Sequence, residues 1–307
     1  MPDPADQTCH SISQSRDEPL IGTAPKVTRW ILIECAGPMG RDALPESTMP
    51  DAVKTHLQAI SNRQLHTRVQ LVKSRSTVQD GVVWLHDVHA CETEPYYVSL
   101  KLDHYEALLD VDLDALESQT REDSVKRQQE PFYLVCTNGK RDPCCARYGL
   151  SLYNELREVA IGQVWESSHV GGHRFAPNVV VLPFGIYYGR VHKTDVGELS
   201  RAATESQIML DRYRGRACYD KAVQAADAIL RRQTGQSAIN RYHFDDLTWL
   251  DDEHIRVKFQ DRKGPWIHQL DLIQSISDDI ESISCRDATL SPVIRYSLVE
   301  YKSFEQE

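Results

Sequence analysis

Three of the eight cysteines of this chain lie within ten residues, in a segment whose pattern predicts a strand followed by a helix. PFYLVC is an apolar run between polar residues, which predicts a buried strand ending at Cys136. The loop TNGKRDP leads to a helix that we expect to start near Cys144, with Asp142 as its cap. Cys144 and Cys145 then lie in the first turn, where free N–H groups and the helix dipole favour a thiolate.

The next loop, SSHVGGHRFAPN, carries His169 and His173 on either side of Gly171 and Gly172. Two sulfur and two imidazole donors on neighbouring loops form a complete ligand set for a metal centre. Glycines between them let the backbone bend close to a bound group and donate N–H bonds to it. The residues alone therefore predict a metal site.

The spacing of the cysteines leaves the kind of metal open. Structural zinc sites usually have two to four residues between their cysteines, and the spacing from Cys136 to Cys145 is wider. A two-iron cluster is larger than one ion, and two cysteines with two histidines hold such a cluster in Rieske centres. Side chains of neighbouring helix residues point about 100° apart, so Cys144 and Cys145 cannot both face one cluster. Helix geometry does not decide which of the two would be the ligand, and a thiol–disulfide function for this pair stays open.

Composition excludes several classes of partner. The formal net charge is −10, from 45 acidic and 35 basic residues, which disfavours nucleic acid and anionic membrane surfaces. No apolar run approaches the roughly 20 residues that a membrane span needs. Residues 1–27 lack the apolar core of a secretory signal, so we expect a disordered leader and a cytoplasmic protein. The other five cysteines are scattered, as small core residues usually are: Cys9, Cys35, Cys91, Cys218 and Cys285.

Hydrophobic patterning predicts an α/β (α+β) chain. Residues 28–125 read as an N-terminal α/β domain, with a polar linker at 120–130. Residues 126–236 have the order strand, helix, strand, loop, hairpin and helix, which is typical of a thioredoxin-like sandwich. Residues 237–307 alternate like strands and predict a β-rich extension.

Longer motifs resemble a known family. CTNGKRDPCCARYG, VWESSHVGGHRFAPNVVVLPFGIYYGRV and DRYRGRACYDKAVQAAD are similar to the sucrase/ferredoxin-like family, whose core is a thioredoxin-like [2Fe–2S] ferredoxin domain. The resemblance implies one [2Fe–2S] cluster held by Cys136, Cys145, His169 and His173. It also favours Cys145 over Cys144 as the second ligand, with Cys144 buried against the sheet.

The resemblance implies an electron carrier or redox protein. Neutral imidazoles in place of two thiolates make the centre less negative, so we expect a reduction potential above the roughly −400 mV of plant-type ferredoxins. Electron uptake should then be coupled to proton uptake at a histidine. A sucrase activity is not supported, because the sequence shows no recognisable pair of catalytic carboxylates.

Charged residues beside the expected cluster suggest a docking surface. Lys140, Arg141 and Arg174 would form a positive patch in an acidic protein, suited to an acidic redox partner. The sequence specifies neither that partner nor the oligomeric state.

Overall fold

Helices and strands are mixed along the chain, and the strands form two sheets. The structure, a computed structural model, describes residues 8–73, 82–116, 126–282, 284–286 and 290–305. The predicted α/β (α+β) class is confirmed. The predicted linker at 120–130 lies partly outside the described residues.

The described part of the N-terminal region contains both helices and strands, and residues 113–116 form a further helical turn. A 3-10 turn at Tyr105–Asp110 follows the last of these strands. The elements are α1 (Cys9–Ser15), β1 (Arg29–Glu34), α2 (Asp51–Arg63), β2 (Thr67–Lys73), β3 (Val83–His89) and β4 (Tyr96–Leu102).

The central region has the predicted order of elements through the hairpin and the helix after it, because each apolar run is bounded by turn residues. Its first strand is buried at every position, as expected for a strand covered on both faces. The strand at Tyr213–Arg216 was not predicted, since its stretch was expected to be helical or loop. The elements are β5 (Phe132–Cys136), α3 (Pro143–Val159), β6 (Val164–Ser167), β7 (Val179–Leu182), β8 (Ile186–Tyr188), α4 (Val196–Thr204), β9 (Tyr213–Arg216) and α5 (Lys221–Thr234).

One sheet of nine strands runs through both regions, in the order β4-β3-β1-β2-β6-β5-β7-β8-β9. β5 and β6 are parallel, while β7 and β8 form an antiparallel hairpin beside β5. β2 joins the two regions by pairing antiparallel to β6, with Val72 opposite Ser167. The N-terminal and central regions therefore share one sheet, and the domain boundaries inferred from the sequence stay a prediction.

The C-terminal region is a second, antiparallel sheet with the order β10-β11-β12-β13. Its apolar face packs against α5, with Val223 and Leu230 in the same core as Val257 and Leu270. The strands are β10 (Tyr242–Trp249), β11 (His254–Asp261), β12 (Trp266–Ser282) and β13 (Leu290–Glu305).

The expectation of a disordered leader is wrong for residues 8–27. Thr8 caps α1 by accepting the N–H of Ser11, and Cys9 is buried. Arg190 donates to the carbonyl oxygen of Ser13 over 3.0 Å. The polar composition of this segment gave no sign that it is ordered, because the side chains that form hydrogen bonds with it lie elsewhere in the chain. Residues 1–7 lie outside the described residues.

None of the described helices combines the length and the apolar character that a membrane span requires.

Candidate metal centre

Two parallel strands bring the first cysteine and the first histidine together. β5 and β6 pair with Cys136 opposite Ser167, and His169 follows two residues later. The carboxyl ends of parallel strands meet at one edge of a sheet, which is where α/β proteins commonly place their sites. The N–H of Cys136 donates to the carbonyl oxygen of Asn178 over 3.1 Å, so the strand end is fixed.

The start of α3 supplies the second cysteine. Asp142 caps the helix by accepting the N–H of Cys144 at 2.9 Å, and Pro143 occupies the first position. Cys145 faces back to the end of β5 and packs in the same core cluster as Cys136. The capping predicted from the sequence thus directs one of the two neighbouring sulfurs to the strand end.

Cys136, Cys145 and His169 form a compact group of metal-binding atoms. Their two sulfurs and one imidazole nitrogen all lie within 4.8 Å of one another. His169 Nδ1 is 3.9 Å from the Sγ of Cys136 and 3.9 Å from the Sγ of Cys145. Both cysteines are buried and His169 is half-buried, so His169 is the residue of the group that lies closest to solvent.

The two thiols differ in acidity. The hydrogen bond from Cys145 lowers the pKa of Cys136 well below its usual range, although burial opposes this, and His169 and the N–H of Val170 add to the effect. The same thiol–thiol hydrogen bond, together with burial, raises the pKa of Cys145. Cys136 is therefore the more acidic thiol of the pair, and a bound cation would displace the thiol protons.

His173 lies beside this group rather than within it. Its ring centroid is 4.9 Å from that of His169, at an interplanar angle of 26°. Burial lowers the pKa of His173 to about 4, so the imidazole is neutral at pH 7 and able to bind a metal. Its Nδ1 is 3.8 Å from Oδ2 of Asp142, which favours a proton on Nδ1.

The glycine pair shapes the loop between the histidines. Gly171 and Gly172 have φ of +103° and +78°, in the region that side chains disfavour. A Cβ at Gly172 would also clash with the guanidinium of Arg214. The N–H of Val170, just before the glycine pair, donates to the Cys136 sulfur.

Arg214 is a residue of the site that the sequence did not reveal. It is buried and donates to the carbonyl oxygen of Gly171 over 3.0 Å and to Oδ1 of Asn178 over 2.7 Å. A further bond to the carbonyl oxygen of Thr23, 2.7 Å long, ties the N-terminal segment to the same group. Burial lowers the pKa of Arg214 to about 9, which leaves it charged at pH 7. The sequence around Arg214 indicates no role beyond packing, because the groups that Arg214 binds lie far away along the chain.

Cys144 belongs to a different group of side chains. It is buried, as expected, but its sulfur is 3.5 Å from that of Cys9 and 3.4 Å from that of Cys285, rather than simply packed against the sheet. Cys9 and Cys285 were expected to be scattered core residues, and that expectation is wrong. Cys9 and Cys285 lie beside Cys144 because segments that are distant along the chain meet in the folded protein.

The expected positive patch is partly neutralised. Lys140 is exposed, but Arg141 pairs with Asp42 at 3.0 Å and Arg174 pairs with the buried Glu18 at 2.7 Å. A cleft of about 260 Å³ opens beside the site instead. Its lining includes Arg41, Asp42, Arg68, Asn138, Arg141 and His169.

A continuous sheet with cysteine and histidine donors at the ends of two parallel strands gives this α+β chain a candidate metal site. The chain belongs to the sucrase/ferredoxin-like family, whose model matches residues 20–215. The resemblance inferred from the motifs is thereby confirmed, while the ligand set stays a prediction.

Among curated proteins, the chain is similar to altered inheritance of mitochondria protein 32 of Meyerozyma guilliermondii, with 36% identity over 97 residues. The match covers 28% of this chain and 34% of that protein, so the chain spans about a third of the relative. No solved structure matches the chain.

Proposed function

We propose that the chain binds one [2Fe–2S] cluster and serves as a one-electron carrier. The proposed ligands are Cys136, Cys145, His169 and His173. A cluster of this kind, when bound, accepts and returns single electrons.

The observation that carries the proposal is the convergence of two buried sulfurs and one imidazole within 4.8 Å, with a neutral second imidazole beside them. A single zinc ion needs four donors around one point. Here the fourth donor, His173, lies next to the compact group and not within it. This arrangement suits a centre that is larger than one ion. The family membership supports the same proposal.

The two histidines set the charge of the site. His169 and His173, in place of two thiolates, remove two negative charges, which favours uptake of an electron and a potential above about −400 mV. His169 presents Nδ1 to both sulfurs at 3.9 Å, so this nitrogen is the one that would bind the cluster. We expect electron uptake to be coupled to proton uptake at an imidazole ligand.

Electrons would enter and leave through His169. It is the more exposed member of the compact group and lies on the wall of the cleft that contains Arg41, Arg68 and Arg141. An acidic redox protein would be attracted to this cleft and to the exposed Lys140, which precedes Arg141 in the chain. A cytoplasmic location stays a prediction, and the name of the Meyerozyma guilliermondii relative refers instead to mitochondria.

Two other functions compete with this one. A structural zinc site would use the same side chains without redox chemistry. A thiol–disulfide reaction of Cys144 with Cys145 is disfavoured, because the two sulfurs belong to different groups of side chains.

Iron and sulfide analysis tests the proposal. Chain purified without oxygen should be brown and contain about two irons and two acid-labile sulfides per chain. Cys136→Ser should remove both elements. Cys35→Ser is the matched control, because Cys35 is also a buried cysteine that directly follows a strand of the same sheet. Colourless, sulfide-free protein with zinc bound at Cys136 would contradict the proposal.

A further inference from the structure

A second group of metal-binding side chains lies on the other side of the start of α3. Three sulfurs form a nearly equilateral triangle, with separations of 3.5 Å for Cys9–Cys144, 3.4 Å for Cys144–Cys285 and 3.4 Å for Cys9–Cys285. The carboxylate of Asp142 completes the group, at 3.8 and 3.9 Å from the Cys9 sulfur. All four ligand atoms lie within 4.8 Å of one another.

We propose that the chain binds one zinc ion at this place, separate from the iron–sulfur site, through Cys9, Cys144, Cys285 and Asp142. Zinc takes four ligands in a tetrahedron, and cysteine sulfur and carboxylate oxygen are among its usual donors. With Zn–S bonds of about 2.3 Å, tetrahedral geometry requires sulfurs roughly 3.8 Å apart. The three sulfurs need to move apart by only a few tenths of an ångström to reach it.

The carboxylate of Asp142 has room for the ion. It accepts hydrogen bonds from the N–H of Cys144 at 2.9 Å, the N–H of Cys285 at 2.8 Å and the hydroxyl of Ser284 at 3.1 Å. A carboxylate offers about four lone-pair sites, so one remains for a metal. The hydrogen bonds hold the carboxylate toward the sulfurs, as the outer partners of metal ligands do.

The sulfurs receive the N–H bonds that metal-bound thiolates commonly accept. The N–H of Cys9 donates to the Cys285 sulfur over 3.2 Å, and the N–H of His10 donates to the Cys144 sulfur. Cys9 and Cys144 are buried together with Ala176, while Cys285 is exposed and gives access to the ion. A disulfide would use two of the three sulfurs and leave the third unpaired, whereas zinc uses all three.

The ion would cross-link three parts of the chain that are distant in the sequence. Cys9 lies on α1, Cys144 on α3 and Cys285 between β12 and β13, and Cys9 and Cys285 are 276 positions apart. Because an unfolded chain does not preform such a site, binding zinc would stabilise the folded arrangement. The site would therefore hold the N-terminal helix and the C-terminal sheet on the central region.

Metal analysis of the full chain tests this site independently of the iron–sulfur proposal. Chain purified without oxygen or chelator should hold about one zinc per chain in addition to any iron. Cys9→Ser and Cys285→Ser should each weaken zinc binding by at least roughly 100-fold, in competition with a chromogenic chelator. Cys285 is exposed, so its variant should fold even if the Cys9 variant does not.

Two control variants separate the two sites. Cys35→Ser should keep both zinc and iron, since Cys35 belongs to neither group. Cys136→Ser should lose iron and sulfide but keep the zinc. X-ray absorption at the zinc edge should show three sulfurs at about 2.3 Å and one oxygen.

Several results would overturn the zinc site: absence of zinc from the wild-type chain, zinc that both Cys9→Ser and Cys285→Ser retain, or an absorption spectrum with two sulfurs and two nitrogens. A disulfide among these three cysteines in anaerobically purified chain would also do so, because it would point to a thiol pair instead.

Discussion

Arg214 donates a 3.0 Å hydrogen bond from its guanidinium to the carbonyl oxygen of Gly171, and so ties β9 to the loop between His169 and His173. The same side chain reaches Thr23 and Asn178, which makes it the common support of the loop. A residue that is distant in sequence from the two cysteines thus positions the loop that carries the two histidines.

Arg214→Met should loosen this loop. It leaves several buried oxygens without a donor, so the free energy of unfolding should fall by about 2 kcal/mol or more, and iron per chain should fall with it. Urea unfolding and iron analysis measure the two effects. Arg212→Met is the control, because Arg212 is half-buried and forms a more exposed ion pair with Asp195, typically worth about 0–1 kcal/mol. Equal behaviour of the two variants would contradict the role of Arg214.

Gly172→Ala should destabilise the chain. The backbone there has φ of +78°, and the added methyl group would meet Arg214, so we expect a loss of more than about 1 kcal/mol and a lower iron content. Gly197→Ala is the matched control: Gly197 lies in α4 with nothing within 4 Å of an added Cβ. There alanine should stabilise the chain by about 0.5–1 kcal/mol, since glycine disfavours a helix. Thermal unfolding compares them, and a stable, fully loaded Gly172→Ala would rule out the proposed constraint.

Local signals predicted the part of the site that local structure builds. The apolar run that ends at Cys136 forms β5, and Asp142 and Pro143 start a helix that ends at Val159, as expected. Strand and helix ends depend on nearby residues, so they can be inferred from a single sequence. The placement of Cys145 beside Cys136 follows from those two ends.

Contacts between distant segments could not be predicted in this way. Cys9 stood in a polar stretch that resembled a disordered leader, and Cys285 stood in a region without a motif. Their meeting at Cys144 depends on how α1 and the C-terminal sheet pack on the central region. Arg214 was missed for the same reason, since its acceptors come from three separate segments.

Charge reversal should slow electron transfer to an anion. In Lys140→Glu with Arg141→Glu, the reduced chain should pass its electron to ferricyanide more slowly than the wild type does, because the repulsion lowers the encounter rate. Stopped-flow oxidation at several ionic strengths measures this, and the difference should shrink as salt screens the charges. A cationic cobalt oxidant serves as the control and should react faster with the variant. Unchanged rates with both oxidants would show that electrons do not leave near this cleft.

Stability should fall at acidic pH through His86. Burial lowers its pKa to about 4, below the usual value of 6.5, so the folded chain resists protonation that the unfolded chain accepts. The contribution is complete above about pH 6.5 and is lost as the pH falls toward 4, at no more than about 1.4 kcal/mol per pH unit. His86→Gln keeps a polar group near Ser99, the partner of His86 Nδ1 at 2.8 Å, but cannot titrate. Urea unfolding from pH 4 to 7 should show a shallower slope for the variant, and identical slopes would refute the assignment.

Pulsed electron paramagnetic resonance of the reduced chain, labelled with ¹⁵N-histidine, tests the ligand set most directly. The spectrum should contain a signal from a reduced two-iron centre with couplings to two histidine nitrogens. One of these couplings should disappear in His169→Cys and the other in His173→Cys. A two-iron signal without nitrogen coupling, or no signal after reduction of iron-loaded chain, would contradict the central claim that two cysteines and two histidines hold the cluster.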